Sequence, residues 1–130
     1  MFHIRIRCSA ENTVVLSDPA VAEALFASVD FYTGKGRWFS HLFLLMPDHL
    51  HALISFPKEE IMSRVVADWK RYQTKALGIL WQENFFDHRI RDSGEYLEKA
   101  AYIRNNPVAK GLCAKPEEWP YGWSTTSGCA

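Results

Sequence analysis

Two histidines stand two residues apart, at His49 and His51, inside the apolar segment MPDHLHALISFP (residues 46–57). Such a segment is typical of a β-strand, in which successive side chains point to opposite faces, so both imidazoles are expected on one face. Two neighbouring imidazoles on a rigid strand can bind one metal ion. The alternative for such histidines is a hydrogen-bonded structural role, and the pair alone does not decide between the two.

A second pair of polar residues lies downstream, at Tyr102 and Asn106. Their segment predicts a helix, on which residues four apart share a face with Cβ atoms about 5–6 Å apart. Asn106 can offer an amide oxygen to a hard cation, and Tyr102 a phenol beside it. The structural alternative makes Tyr102 an amphipathic core residue and Asn106 the end of the helix before Pro107.

Three segments are predicted to form strands that position these residues. Residues 2–8 alternate strictly, which gives one face of Phe2, Ile4, Ile6 and Cys8 and another of His3, Arg5 and Arg7. Residues 37–46 and 49–56 are predicted as the second and third strands, the latter ended by Pro57. The face of the third strand opposite the two histidines is wholly apolar, so we expect helices to pack on it.

Three helices are expected to accompany the strands. Their predicted ranges are 20–32 (capped by Ser17 or Asp18), 59–80 and 94–105. Pro107 disfavours helical geometry at Asn106, so the third helix should end there. The apolar stripe of the second helix is predicted at Ile61, Val65, Trp69, Tyr72, Ala76 and Leu80.

The order of these elements is strand, helix, strand, strand, helix, helix. It predicts an α+β fold with a single antiparallel sheet and packed helices, of the ferredoxin or RNA-recognition type. One more strand is expected near residues 85–91, and the tail from about residue 113 to 130 is expected to pack as loops. The 130 residues fit a single domain.

The composition is ordinary for a globular protein, with 48% hydrophobic and 23% charged residues. No apolar run approaches the ~18–20 residues that a membrane span needs, and residues 1–5 do not begin a signal peptide, so we expect a cytoplasmic protein. The cysteines, Cys8, Cys113 and Cys129, are widely spaced and predict reduced thiols. The formal net charge of zero does not support nucleic-acid binding. Evidence for such binding must therefore come from local clusters of basic residues.

The candidate residues and their order resemble a known family. The sequences HLH (49–51) and YIRNNPV (102–108) resemble the HUH one-tyrosine transposases, and more closely their REP-associated tyrosine transposase branch. The resemblance extends over nearly the whole chain, from Phe2 to Ser124. Its further segments are LMPDHLH (45–51), WQENFFDHRIR (81–91), NPVAKGL (106–112) and EEWPY (117–121), followed by Ser124.

The resemblance implies an HUH nuclease fold and an enzyme that cuts single-stranded DNA, usually beside a hairpin. By position, His49, His51 and Asn106 become ligands of Mg²⁺ or Mn²⁺, and Tyr102 becomes the nucleophile. Attack by Tyr102 would give a 5′-phosphotyrosine link and a free 3′-hydroxyl, and rejoining needs no ATP because the phosphoester energy is retained. Tyr96 lies six residues before Tyr102, which rotates it by roughly 240°, so it should not share the site.

Local basic clusters are the expected contacts to a DNA backbone. His3, Arg5 and Arg7 would share the face of the histidine pair if the first and third strands are neighbours in the matching register. The other candidates are Arg64, Arg71 and Lys75 on the second helix and Arg89, Arg91, Arg104 and Lys110 near the expected site. For each of them an ordinary solvated surface residue is the alternative. The aromatic candidates for base stacking or core packing are Trp119, Tyr121 and Trp123.

Two other classes of function stay open. A non-cleaving module of the same fold would bind a DNA or RNA hairpin without forming a covalent adduct. A small ferredoxin-like metal protein would act on a small molecule through His49 and His51 and would have no affinity for DNA. The resemblance also leaves a monomer and a homodimer open, since some relatives exchange the tyrosine helix between subunits.

Overall fold

Residues 1–125, the part of the chain that the computed structural model describes, form one five-stranded sheet and three α-helices. Cys129 and the end of the predicted tail lie outside the described residues. The strands are β1 (Phe2–Arg7), β2 (Phe39–Leu45), β3 (His49–Ser55), β4 (Phe86–Arg89) and β5 (Gly122–Ser124). The helices are α1 (Pro19–Gly34), α2 (Met62–Leu77) and α3 (Ser93–Ala109), followed by a short 3₁₀ helix (Pro116–Glu118).

The strands lie in the order β4-β1-β3-β2-β5, and each neighbouring pair is antiparallel. The predicted α+β class and the strand expected near residues 85–91 are therefore confirmed. The elements from β1 to β4 follow the β-α-β-β-α-β plan of ferredoxin-like folds. In the pairing of β1 with β3, Arg5 lies opposite His51 and Arg7 opposite His49, so these four side chains share one face.

The first two helices pack on the apolar face of the sheet, as the sequence of β3 predicts. One buried cluster contains Leu50, Ala52 and Ile54 of β3 together with α1 and α2 side chains, among them Val29 and Trp69. Trp69 is fully buried and its indole N–H donates to the Ser28 hydroxyl at 3.0 Å. Burial of each such side chain contributes roughly 1.5–3 kcal/mol to folding.

The third helix packs on the opposite face, the one that carries His49 and His51. A second buried cluster joins Ala100 and Ile103 of α3 to Leu42, Leu44, Met46 and Leu53 of the sheet region. The helices therefore flank the sheet on both faces, whereas the sequence led us to expect them on one. No helix in the described part of the chain is long and apolar enough to span a bilayer.

The predicted apolar stripe of α2 is wrong at several positions. Ile61, Tyr72, Ala76 and Leu80 are exposed, and α2 ends at Leu77. The buried positions are Val65, Val66, Trp69 and Gln73. Gln73 is accepted in the core because its amide donates to the same Ser28 hydroxyl that Trp69 contacts, at 2.9 Å. A polar contact across the core therefore sets the orientation of the helix, which the apolar spacing does not reveal.

The predicted end of α3 at Asn105 is also wrong, because the helix continues through Pro107 to Ala109. Proline lacks one N–H, but its fixed φ fits a helix, and here the ring is buried. The next turn is still bonded, since the Lys110 N–H donates to the Asn106 carbonyl at 3.0 Å. The tail, predicted as loops, adds β5, in which Gly122 pairs with Leu44 of β2.

Candidate active site

A cavity of about 430 Å³ opens between the β1–β3 face and α3. It brings together the four residues for which chemistry is predicted, His49, His51, Tyr102 and Asn106. β3 supplies the histidines at alternate positions of one face, and α3 supplies the other two residues from successive turns. The cavity is completed by Arg5, Arg7, Met46, Pro47, Asp48, Lys110 and Leu112.

Each histidine of the pair is held through its Nδ1 atom. His49 Nδ1 lies 2.8 Å from a carboxylate oxygen of Asp48, and His51 Nδ1 lies 3.1 Å from Nε2 of His3. The two ring centroids are 5.1 Å apart. Because Nδ1 of each ring is engaged, Nε2 is the nitrogen that remains for a metal ion or a substrate.

Burial keeps these imidazoles neutral. It lowers the pKa of His51 to about 3, with the positive side chains around it adding to the effect. Burial also lowers the pKa of His3 to about 4, together with the charge of Lys99. The pKa of His49 is lowered by burial as well, although its hydrogen bond to Asp48 opposes that shift. At neutral pH each ring therefore has a lone pair available, as metal binding requires.

Asn106, which lines the cavity, has a buried polar atom without a partner in the described part of the chain. Its side chain is only 8% exposed, and among residues 1–125 its Oδ1 has no hydrogen-bond partner. An unsatisfied buried oxygen of this kind costs about 1–3 kcal/mol. Two imidazole nitrogens and one amide oxygen form a donor set that could hold a divalent cation with positions left open. The structural alternative for Asn106 fails, because the residue lies inside α3 rather than at its end.

Tyr102 lies at the opening of the cavity and is 56% exposed, so it is not a core residue. Its ring centroid is 6.1 Å from that of His51 and 6.4 Å from that of His3. Tyr96 of the same helix contacts His41 instead and lines a different cavity. The predicted separation of the two tyrosines is confirmed.

The beginning of α3 is tied to β4 by Glu95. This carboxylate accepts from the Arg91 backbone N–H at 2.7 Å and from His88 Nε2 at 3.1 Å. These bonds lower the pKa of Glu95 to about 2, the backbone N–H contributing most. Asp92 caps the helix by accepting from the Glu95 N–H at 2.8 Å. The helix that carries Tyr102 and Asn106 is therefore fixed to the sheet at its first turn as well as by its buried face.

Only part of the predicted basic set reaches the cavity. Arg5, Arg7 and Lys110 line it. Arg104 lines another cavity of about 370 Å³ with Trp119 and Trp123, and Arg91 pairs with Glu95. Four more lie away from the site. Arg64, Arg71 and Lys75 are on α2, across the sheet. Arg89 of β4 is paired with Phe2 of β1 and so shares the face of Phe2, which is opposite to the face of the histidine pair.

Two residues beside the paired histidines were not predicted to orient them: His3, which was only a candidate contact to DNA, and Asp48, which had no assigned role. Each contacts one of the paired histidines. The available signals were the place of His3 on the Arg5–Arg7 face of β1 and the position of Asp48 directly before His49. Neither signal distinguishes a residue that orients a ligand from an ordinary surface residue.

This chain is similar to known proteins over part of their length. No protein-family model matches it. A REP-associated tyrosine transposase of Escherichia coli (strain K12) is 30% identical over 81 residues, which are 60% of this chain and 49% of that protein. A candidate REP-associated tyrosine transposase of Haemophilus influenzae is 28% identical over 94 residues, which are 59% of this chain and 53% of that protein. The chain thus spans about half the length of these curated relatives.

A solved structure has the same fold. It is that of a REP-associated tyrosine transposase bound to a REP hairpin, with a TM-score of 0.81 and 22% identity. The alignment covers 93% of this chain and 74% of that one. Together with the sequence relatives, it confirms the resemblance predicted from the HLH and YIRNNPV segments.

Proposed function

We propose that this chain, a relative of the REP-associated tyrosine transposases, is a metal-dependent endonuclease and strand transferase that acts on single-stranded DNA beside hairpins. One observation carries the proposal. Asn106, whose Oδ1 is buried and has no partner among the described residues, lines the same cavity as the two histidines and the exposed Tyr102. An apolar side chain would fill this position of α3 more favourably, so the amide is best explained by a ligand.

His49, His51 and Asn106 would hold the ion, which we expect to be Mg²⁺ or Mn²⁺. When bound, the ion would polarise the scissile phosphate and fix its orientation. Asp48 and His3 keep the two imidazoles turned so that their Nε2 atoms remain available. Arg5, Arg7 and Lys110 line the same cavity and would attract the DNA backbone to it.

Tyr102 would act as the nucleophile. Its oxygen forms a bond to phosphorus while the bond from phosphorus to the 3′-oxygen breaks; the phenol loses its proton and the departing 3′-oxygen gains one. The products are a 5′-phosphotyrosine and a free 3′-hydroxyl. Attack of a 3′-hydroxyl on the phosphotyrosine reverses these steps and joins strands, which accounts for transfer without a nucleotide cofactor.

The partner proposed is hairpin-containing single-stranded DNA. The support is the solved relative bound to a REP hairpin, together with the basic residues that line the cavity. We expect the protein to act in the cytoplasm, as a monomer or as a homodimer. Because the curated relatives are about twice as long as the matched region, the activity of this chain by itself is part of the proposal.

A denaturing-gel assay tests the function. Purified protein is mixed with hairpin oligonucleotides taken from the DNA that flanks its gene, with Mg²⁺ or Mn²⁺ and with EDTA. We expect a covalent protein–DNA adduct that requires the ion, that forms with the Tyr96→Phe control and that is absent with Tyr102→Phe. An adduct that persists with Tyr102→Phe would show that the nucleophile is a different residue.

The same assay separates the rival classes. Binding of the hairpin under every ion condition without an adduct would favour a non-cleaving binding module. Absence of binding to every flanking hairpin would favour a metal protein that acts on a small molecule through His49 and His51.

A further inference from the structure

The helix α3 leaves one part of the functional face of the sheet uncovered, around Arg5 and Phe86. Its buried residues Ala100 and Ile103 lie over β2 and β3. On β1 and β4 the helix contacts His3 and His88, whereas Arg5 and Phe86, which lie directly opposite each other, are outside that cluster. Directly opposed residues of an antiparallel pair share a face, so Phe86 projects to the same side as the histidine pair.

A second cavity, of about 210 Å³, lies on this uncovered part of the face. It is lined by Arg5, Arg7, Gln82, Asn84, Phe85 and Phe86. Arg5 and Arg7 also line the cavity that holds His49 and His51, so the two cavities meet at these arginines. Within residues 1–125 neither arginine forms an ion pair, and both charges are available to an external anion.

The remaining groups of this cavity suit an unpaired nucleobase. Phe86 is 42% exposed; the Arg5 guanidinium lies over its ring, 5.0 Å from the centroid, and the His3 ring packs against it edge-on at 5.6 Å. An exposed aromatic ring beside a cation is the usual platform for base stacking. Gln82 and Asn84 are exposed, and their side-chain amides, which can donate and accept, have no hydrogen-bond partner in the described part of the chain.

The cavity is preformed rather than loose. The Gln82 N–H donates to the Arg7 carbonyl at 2.9 Å. Lys70 of α2 donates to the carbonyl oxygens of Gln82 and Glu83, at 2.7 and 3.2 Å. A segment held at both β1 and α2 need not be ordered when a ligand binds, which lowers the cost of binding.

We propose that this second cavity is a nucleotide subsite. One unpaired base stacks on Phe86 with its edge toward Gln82 and Asn84, and its phosphate lies on Arg5 and Arg7, adjacent to the phosphate that Tyr102 attacks. The inference rests on the proposed function, since it supplies the position of the single strand relative to the cleaved bond. It assigns the selection of one base near the cleavage site to the loop before β4.

Equilibrium binding in EDTA tests the subsite without catalysis. The probe is a fluorescent hairpin oligonucleotide with a single-stranded extension, drawn from the DNA flanking the gene, and the readout is anisotropy. Loss of one base stack costs about 1–3 kcal/mol, so Phe86→Ala and Phe86→Leu should weaken binding roughly 5- to 150-fold, whereas Phe86→Trp should retain it. Because Phe86→Leu preserves the apolar volume, weaker binding by this variant would show that the aromatic ring itself is required.

Phe31→Ala is the matched control. Phe31 is 60% exposed and has Lys35 at 5.5 Å from its ring centroid, but it belongs to α1 on the other face of the sheet. We expect its binding to equal that of the wild type. Equal binding by Phe86→Ala, Phe86→Leu and the control would overturn the subsite.

An abasic scan of the extension locates the base. Each probe of the series has one nucleotide of the extension replaced by an abasic residue. The wild type and Phe86→Ala should bind with equal affinity to only one of these probes, the one that lacks the stacked base, because the stack is then missing from both complexes. A Phe86→Ala deficit that persists at every abasic position would refute base stacking. Adduct formation by the wild type is measured in parallel. An adduct without weaker binding by the Phe86 variants overturns the subsite alone. Weaker binding by the Phe86 variants without an adduct overturns the nucleophilic function alone. A wild type that binds no probe overturns both.

Discussion

His3 Nε2 lies 3.1 Å from His51 Nδ1, although 48 residues separate the two in the chain. The contact links β1 to β3 across the functional face of the sheet, and both rings are buried. For His51 to bind a cation through Nε2, its proton must be on Nδ1, where His3 can accept it. The geometry thus makes His3 the residue that fixes the tautomer and orientation of a proposed ligand.

Removal of His3 is expected to weaken metal binding without removing a ligand. Loss of a partner that orients a metal-binding histidine usually costs 10- to 100-fold in affinity, and we expect about this effect for His3→Ala. The measurement is titration calorimetry with Mn²⁺ in the absence of DNA. His41→Ala is the control, since His41 is a half-buried histidine of β2 that contacts the Ser55 hydroxyl at 2.7 Å and lies outside the cavity. Equal Mn²⁺ affinities for the two variants would contradict the assigned role.

Asn106 is expected to be a position where function lowers stability. Its Oδ1 is buried and unpaired, so Asn106→Leu should leave the free energy of unfolding unchanged or raise it by about 1 kcal/mol. The same change should abolish the stabilisation that saturating Mn²⁺ gives the wild type. Urea unfolding with and without Mn²⁺ measures both effects. A variant that unfolds at much lower urea and keeps the Mn²⁺ effect would show that Asn106 is structural.

The sheet face of the site could be predicted from the sequence because it depends on strict alternation. The HLH spacing fixes both histidines on one face of β3, and the alternation of β1 fixes His3, Arg5 and Arg7 on one face of β1. Only the pairing of the two strands was then needed to bring these residues onto the same face of the sheet. The shared face of Tyr102 and Asn106 follows in the same way from helical spacing. These relations are local, which is why they could be predicted before the fold was known.

The features that the sequence missed depend on tertiary contacts. Gln73 is buried in place of Tyr72 because a hydroxyl across the core accepts its hydrogen bond. The helix α3 passes through Pro107 because packing and the following hydrogen bonds outweigh one lost N–H. The role of His3 depends on the exact register of β1 against β3, which alternation alone leaves open.

The basic residues are expected to differ in their contribution to DNA binding according to their face. Arg7 lines the cavity that holds His49 and His51, whereas Arg64 lies exposed on α2 across the sheet. Arg7→Ala should weaken hairpin binding and reduce the slope of log K against log salt by about one unit, the value for one lost phosphate contact. Arg64→Ala should change neither quantity. The check is a series of anisotropy titrations from low to moderate salt; equal slopes for both variants would place the DNA on a different surface.

The anchoring of α3 by Glu95 is expected to depend on pH with a defined sign. Hydrogen bonds from the Arg91 backbone and His88 lower the pKa of Glu95 from its ordinary 4.5 to about 2, so between these values the unfolded chain binds more protons than the folded one. The stabilisation is therefore complete above about pH 4.5 and is lost as the pH falls toward 2. Glu95→Gln should reduce the free energy of unfolding at pH 7, and the difference from wild type should shrink between pH 4.5 and 2.

Urea unfolding at pH 7, 4.5 and 3, followed by far-ultraviolet circular dichroism, measures this difference. Glu98→Gln is the control, because Glu98 is exposed on the same helix and forms no ion pair within residues 1–125. It should show no such dependence on pH. A Glu95→Gln deficit that is as large at pH 3 as at pH 7 would mean that the carboxylate charge is not what ties α3 to β4, and the fixed position of Tyr102 and Asn106 would then rest on the buried face of the helix alone.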